Sequence, residues 1–249
     1  MKTRGGRVPR LFAGVELRPG MTIALPEGPA HHAARVLRLG AGDPLTLFDG
    51  RGGEYEARIA SIARGRLAVE VIAWRQVERE SPLAATLVQG VSSGDRMDFI
   101  VQKAVELGVA AIQPVLTARS VVRFSAGRGI AKLAHWQRIV IAACEQCGRN
   151  RIPEIRGAIP LDAYCAGPHQ TASRVLLSPR GTARLADVAA TLGRAVVLAA
   201  GPEAGFGPED ESLLAHAGFV PVRLGPRVLR AETAALAALA ALNALAGDF

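Results

Sequence analysis

The sequence predicts a two-part α/β protein: a small N-terminal β-barrel followed by a larger domain built on a mostly parallel sheet. Three observations carry this. Residues 10–73 hold short segments in which apolar and polar side chains alternate, broken by glycine turns, the pattern of a small barrel. Residues 75–83 (RQVERESPL) are charged and contain Pro82, a linker composition. Beyond them apolar strands alternate with segments of helical period, which means helices crossing over a parallel sheet. The domains are therefore read as 1–74 and 84–249, joined by 75–83.

In chain order, Arg10 to Val15 and Met21 to Leu25 are candidate strands, and a short helix is expected over His31 to Leu39, ended by Gly40. Pro44 to Phe48 is a strand that stops at the turn Asp49-Gly50-Arg51-Gly52-Gly53. Tyr55, Ala57 and Ile59 alternate with Glu54, Glu56 and Arg58. Ala63-Arg64-Gly65-Arg66 then reads as a hairpin turn into Leu67, Val69 and Val71. In the second part Leu87–Val88 lies in a strand. Gly94 to Leu107 reads as a helix, in which Met97, Ile100 or Val101, Ala104 and Leu107 recur at helical spacing before Gly108. Ile112 to Leu116 is a strand, followed by a long helix to about Cys147, closed by Gly148. Strands at Val175 to Leu177, Ala195 to Ala200 and Phe219 to Leu224 alternate with helices at about 182–191, 208–217 and 232–246. In the last helix Leu236, Leu239, Leu242 and Leu245 form one stripe, expected to face the core or a dimer partner.

Composition excludes several classes. The chain has 249 residues, 49% hydrophobic and 21% charged, so it is neither disordered nor too small for a core. The longest near-apolar stretch, Ala234 to Ala246, is short of the roughly 20 residues of a membrane span, and no apolar signal core follows the basic N-terminus. Three cysteines, two of them three apart, do not make a disulfide framework and point to a reducing cytoplasm. Net charge is +8, and 27 of the 30 basic residues are arginines, whose planar fork suits phosphate. Residues 119–156 alone carry net +6, a footprint for a polyanion or a solvated helix face.

There is no P-loop, no dinucleotide glycine fingerprint and no nucleophile elbow. His31–His32 lacks an acidic partner at metal-ligand spacing, and no metal site is expected. Cys144-Glu145-Gln146-Cys147 ends a helix, where the dipole disfavours a thiolate, so it reads as helix packing. What stands out is three strand-to-loop junctions: Val175-Leu-Leu-Ser-Pro-Arg-Gly181, Val197-Leu-Ala-Ala-Gly-Pro-Glu-Ala-Gly-Phe-Gly207 and Leu224-Gly-Pro-Arg-Val-Leu-Arg-Ala-Glu-Thr233. Each apolar strand ends in a Gly/Pro-rich turn at its carboxyl edge, where open α/β sheets bind ligands.

Pro9-Arg-Leu-Phe12, His32 with Arg35-Val-Leu-Arg38, Leu47-Phe-Asp-Gly50, Gln102-Lys103 with Glu106-Leu-Gly108, Ala143-Cys-Glu-Gln-Cys-Gly-Arg149, Gly201-Pro-Glu203 and Leu224-Gly-x-Arg-x-Leu-Arg-x-Glu-Thr233 stand in this order. Together they resemble the bacterial 16S ribosomal RNA uridine-N3 methyltransferases over nearly the whole chain. The resemblance implies a PUA-like barrel, a SPOUT-type methyltransferase domain with a trefoil knot, a homodimer, ribosomal RNA within the small subunit as partner, and S-adenosylmethionine as methyl donor. Ala204 stands where the family has a second glycine after Gly-Pro-Glu, and Ala118 where a glutamate often precedes Arg119-Ser120.

The resemblance places the donor against Leu177, Ser178, Pro179, Ala200, Gly201, Pro202, Glu203, Gly205, Leu224, Gly225, Pro226, Arg227, Val228 and Leu229. Methylation of uracil N3 requires loss of a weakly acidic proton, and a cation near the ring oxygens stabilises the resulting charge. Arg227 and Arg230 are the candidates. Glu232 could orient an arginine, accept the proton, or simply complement its helix dipole. Candidate RNA contacts are Arg10, His32, Arg35 and Arg38 on the barrel, and Lys103, Arg119, Arg123, Gln146 and Arg149 on the large domain. The alternatives are a related enzyme acting on another RNA or on a ribose 2′-hydroxyl, and a non-catalytic RNA-binding protein.

Overall fold

A computed structural model describes residues 8–63, 66–120, 126–168 and 172–249. The chain forms two compact units. One holds the N-terminal residues up to Glu80 together with Cys144–Ile152, and the other holds Ser81–Ala143 and Pro153–Phe249. The short segment 144–152, which the sequence reading left in the large domain, thus packs with the N-terminal unit.

In the first unit β1 (Arg10–Phe12) and β2 (Thr22–Ala24) precede a single helical turn α1 (Glu27–His31) and a π-helical turn His32–Val36. The helical turns together run over 27–36, so the helix expected over 31–39 starts and ends earlier, with Pro26 as its N-cap. β3 (Pro44–Phe48), β4 (Glu54–Ala63) and β5 (Arg66–Arg75) follow. The sheet order is β1-β3-β4-β5-β2, with β1 parallel to β3 and the other pairs antiparallel. The alternation in sequence becomes burial: Leu45, Leu47, Ala57, Ile59, Leu67, Val69 and Val71 all face one core with Leu11, Leu17, Ile23 and Leu25. The hairpin residues Arg64 and Gly65 lie outside the described residues.

The second unit begins with β6 (Ala84–Gly90), α2 (Gly94–Glu106) and β7 (Ala111–Leu116). α3 (Ala126–Cys147) follows and ends at Gly148, whose φ of +95° closes the helix. Three short elements had no signal in the sequence: β8 (Glu154–Ile155), β9 (Ile159–Pro160) and α4 (Leu161–Ala166). β10 (Ser173–Leu177), β11 (Ala183–Arg184), α5 (Leu185–Ala189), β12 (Ala195–Ala200), α6 (Pro208–His216), β13 (Val220–Arg223) and α7 (Ala231–Ala246) complete the chain. The sheet order is β11-β13-β10-β12-β6-β7-β8, with β9 also on β7, and every pairing is parallel.

α4 and α6 cover the sheet face bearing Val88, Val115, Leu176 and Ala199. α7 packs against both α2 and α5. The buried stripe of α7 is Ala235, Ala238, Leu239, Leu242 and Asn243, whereas Leu245 at the end of the expected leucine stripe is exposed. Asn243 fixes this helix: its Nδ2 donates to the Leu107 carbonyl at 2.7 Å, and its Oδ1 accepts from Ser81 Oγ at 2.7 Å. None of the described helices is long and apolar enough to cross a membrane.

Candidate active site

The three Gly/Pro-rich turns follow β10, β12 and β13, which are neighbours in the sheet or one strand apart, so parallel pairing delivers them to the same edge. There they enclose a cavity of about 350 Å³, within the usual range for small-molecule sites. Thirteen of the fourteen residues expected from the sequence line it: Leu177, Ser178, Pro179, Ala200, Gly201, Pro202, Glu203, Gly205, Leu224, Gly225, Arg227, Val228 and Leu229. Pro226, exposed on the third turn, does not.

Two of the three turns are held by hydrogen bonds of their own. After β10, the Ser178 N–H donates to the Val222 carbonyl at 2.9 Å and Gly181 N–H to the Ser178 carbonyl at 3.0 Å. The buried Ser178 hydroxyl donates to Glu211 Oε1 at 3.0 Å, and Arg180 pairs with Glu211 Oε2 at 2.6 Å. After β12, Gly205 N–H donates to the Pro202 carbonyl at 2.8 Å, and Gln89 Nε2 donates to the Gly201 carbonyl at 3.1 Å. The chain is so tight here that a Cβ on Gly90 would lie 2.5 Å from Pro202 N, and one on Gly201 would lie 2.8 Å from Phe206 N. Ala204 is not strained by replacing a glycine. The left-handed residue of this turn is Gly205, φ +67°, one position later.

Glu203 ties this turn to α2. Its Oε1 accepts from the Ser93 N–H at 2.8 Å, Ser93 Oγ at 2.7 Å and Arg96 at 3.2 Å. Burial pushes the carboxyl up, but these donors outweigh it and hold the pKa at about 2. Folding thus favours the charged form. That stabilisation is complete above the ordinary value of 4.5 and disappears as pH falls towards 2. Glu203→Gln should therefore melt below the natural protein at pH 6, with the gap closing between pH 4.5 and 2. Thermal denaturation across that range measures it, and a gap independent of pH would refute the charge linkage.

The expected catalytic residues separate. Arg227 is exposed and lines the cavity, with no carboxylate of the described residues bonded to it. Arg230 is exposed at the N-terminus of α7 and Glu232 lies in its first turn, and neither lines the cavity. Arg180 and Phe206, inside the first two junctions but not among the expected donor contacts, line it as well, as do Glu211 and Arg223. Arg223 only flanks a turn, and Glu211 reads as an ordinary acid of a helix first turn, so no local signal marks those two.

The expected RNA contacts also divide. His32, Arg35, Arg38, Arg119 and Gln146 are exposed, and Arg119 also donates to the Ala204 carbonyl at 3.2 Å. Lys103 is half-buried against Glu106, 2.8 Å away, and the Phe99 ring. Arg123 lies outside the described residues. Arg10 and Arg149 are corrected: the side chains of both are enclosed in the N-terminal unit, 6% and 5% exposed. Arg10 binds Glu54 at 2.5 Å and Asn150 Oδ1 at 2.7 Å, over the Phe48 ring, while Arg149 is paired with Glu80. Guanidiniums enclosed by protein acceptors have no face left for a phosphate. Cys144 is buried too, and burial pushes its thiol up to about 12 against the opposing charge of Arg149, as expected of a packing residue.

A family model described as an RNA methyltransferase domain matches residues 79–243, and one described as an RNA methyltransferase PUA domain matches residues 25–72. The ribosomal RNA small subunit methyltransferase E of Buchnera aphidicola (subspecies Schizaphis graminum) is 32% identical over 97% of this chain and 98% of its own length. Its Synechocystis counterpart is 36% identical over 95% and 77%. A Legionella pneumophila methyltransferase, solved in complex with bound S-adenosylmethionine, superposes with a TM-score of 0.94 at 38% identity, covering 98% of this chain and all of that one. The ribosomal RNA small subunit methyltransferase E of Neisseria gonorrhoeae, also bound to S-adenosylmethionine, gives 0.90 at 40% identity with the same coverage. Both domains and the likeness along the full length lead to one conclusion: the chain belongs to the ribosomal RNA small subunit methyltransferase E family, RNA methyltransferases that carry a PUA domain.

Proposed function

We propose that this protein methylates N3 of a uridine in small-subunit ribosomal RNA, using S-adenosylmethionine. The observation that carries the reading is the convergence of three backbone-rich turns on one cavity, in a chain that superposes closely on two structures with that donor bound. The residues fit a ligand that combines a flat ring with polar and charged groups, since apolar side chains line the cavity beside Ser178, Glu203 and Arg227. Leu177, Leu224, Val228 and Leu229 offer apolar surface. The close approach at Gly201 leaves backbone groups rather than side chains to meet the ligand.

Bound S-adenosylmethionine supplies a methyl on a sulfonium, already a good leaving group, so the protein's work is mainly positioning. The turns after β10, β12 and β13 hold the donor, Glu203 keeps the middle turn anchored to α2, and Ser178 with Arg180 and Glu211 keeps the first turn anchored to α6. Arg227 places its guanidinium against the uracil oxygens and stabilises the charge that forms as N3 gives up its proton. Arg230 acts from the next turn on the RNA, and Glu232 orients an arginine or accepts the proton that N3 loses. His32, Arg35, Arg38, Lys103, Arg119 and Gln146 contact RNA, and Arg123 extends that surface. The same reading includes a homodimer, a trefoil knot in the donor-binding region and action in the cytoplasm.

The test is nucleoside mass spectrometry of 16S ribosomal RNA from a strain lacking this protein. 3-Methyluridine should disappear and return with the natural gene, and an unchanged nucleoside pool would overturn the reading. Calorimetry with S-adenosylmethionine separates a binder from an enzyme, since no heat and no shift in melting temperature would favour a non-catalytic protein.

A further inference from the structure

The N-terminal unit carries one turn whose backbone opposes its sequence. Past α1 the chain widens into the π-helical turn His32–Val36, with the Leu37 N–H donating to the His32 carbonyl at 3.0 Å. Leu39 N–H reaches the Ala33 carbonyl at 3.0 Å, and between these bonds Arg38 sits at φ +54°. Among the described residues it is the one non-glycine in the left-handed region. Helices that close this way normally use glycine, and Gly40 stands only two residues further on.

The Leu39 bond closes the helix, but no side-chain contact among the described residues offsets the strain. The Arg38 side chain is exposed and makes no hydrogen bond or ion pair to another described residue. Strain retained where a better local choice exists points to function, and π-turns concentrate at functional sites. The surroundings say what kind. His31, His32 and Arg35 are exposed beside it, and no acidic residue occurs from Gly28 to Gly42. Between the two arginines Val36 is 60% and Leu37 38% exposed, while Ala33 and Ala34 fix the turn to the core. Acidic side chains flank the turn rather than enter it: Glu27 opens α1, the Asp43 carboxylate accepts from the Gly40 N–H at 2.7 Å, and Glu145 is within electrostatic reach of His32.

We propose that residues 31–38 form a preshaped RNA-reading turn, in which Arg35 and Arg38 grip backbone phosphates and Val36 with Leu37 packs on the face of an unpaired base or ribose. The proposal rests on RNA being the substrate and adds the docking mode. Uninterrupted positive charge selects a polyanion, and the apolar pair between the cations selects an unstacked nucleotide over a plain duplex backbone. Strained backbone holds Arg38 outward, so a stability cost keeps the turn in its binding shape.

The full-length protein and two variants, Arg38→Gly and the double variant Val36→Ser with Leu37→Ser, are titrated with a 16S ribosomal RNA transcript over a salt series, and each is melted. Arg38→Gly should raise the melting temperature by about 2–4 °C. It should also weaken RNA binding about tenfold and reduce the salt slope by about one. The serine pair should weaken binding several-fold with the slope unchanged. A more stable Arg38→Gly protein with natural RNA affinity overturns the reading role, and a lower melting temperature overturns the strain. Serine variants that bind as tightly as the natural protein remove the apolar contact. Failure of the natural protein itself to bind the transcript would instead reject RNA as substrate, and the turn's role with it.

Discussion

Replacing Arg227 with alanine is expected to lower kcat by at least about a hundredfold, the usual loss when one charge-stabilising donor is removed, while S-adenosylmethionine affinity stays within about tenfold. The cavity is lined chiefly by backbone and apolar atoms, so one exposed guanidinium contributes little to holding the donor. It matters when negative charge builds on the uracil, a change made only on the way to the transition state, and such interactions appear in kcat rather than in ground-state binding. No carboxylate of the described residues is bonded to Arg227, so its charge is available to the substrate. Arg227→Lys keeps the charge without the planar fork and should fall between the two. Single-turnover methylation with calorimetry on the same samples separates the terms. Near-natural turnover in the alanine variant would remove Arg227 from the chemistry.

The second large effect concerns stability. Arg149→Ala should destabilise the protein by roughly 3 kcal/mol, at the lower end of the range for breaking a buried ion pair because Glu80 retains some contact with water. Arg149 Nε lies 3.1 and 3.2 Å from the two Glu80 oxygens, and the arginine is only 4% exposed. Losing it strands the carboxylate and opens a void. The neighbouring contacts of this segment, Arg79 with the Gly148 carbonyl at 2.9 Å and Asn150 with the Val77 carbonyl at 2.5 Å, belong to the same lattice and loosen with it. Urea denaturation measures the loss. RNA affinity of the folded variant in the cold should be nearly natural. The reverse outcome, unchanged stability with lost RNA binding, would return Arg149 to the RNA surface.

Both predictions show how far sequence reasoning reached. Alternation in 54–71 was enough to choose core-facing side chains, because a pleated strand presents every second residue to one face. The three Gly/Pro turns were visible because each ends an apolar run, and a parallel sheet brings the carboxyl ends of its strands to one edge. Arg149, by contrast, sat in a basic stretch of net +6 and read as surface. Its acidic partner is Glu80, 69 residues away, and no periodicity encodes that pairing. Glu211 escaped notice for the same reason, since its link to Ser178 spans 33 residues.

Patterns repeating within a few residues were therefore enough to name strands, helices and the turns that meet a ligand, since local backbone geometry depends on neighbouring side chains. Which arginines are enclosed and which face outward, and that the left-handed position falls on Arg38 rather than Gly40, emerged only once distant segments had packed. Burial and ion pairing are properties of the folded surround, and they decide whether an identical guanidinium holds the protein together or is free to meet RNA.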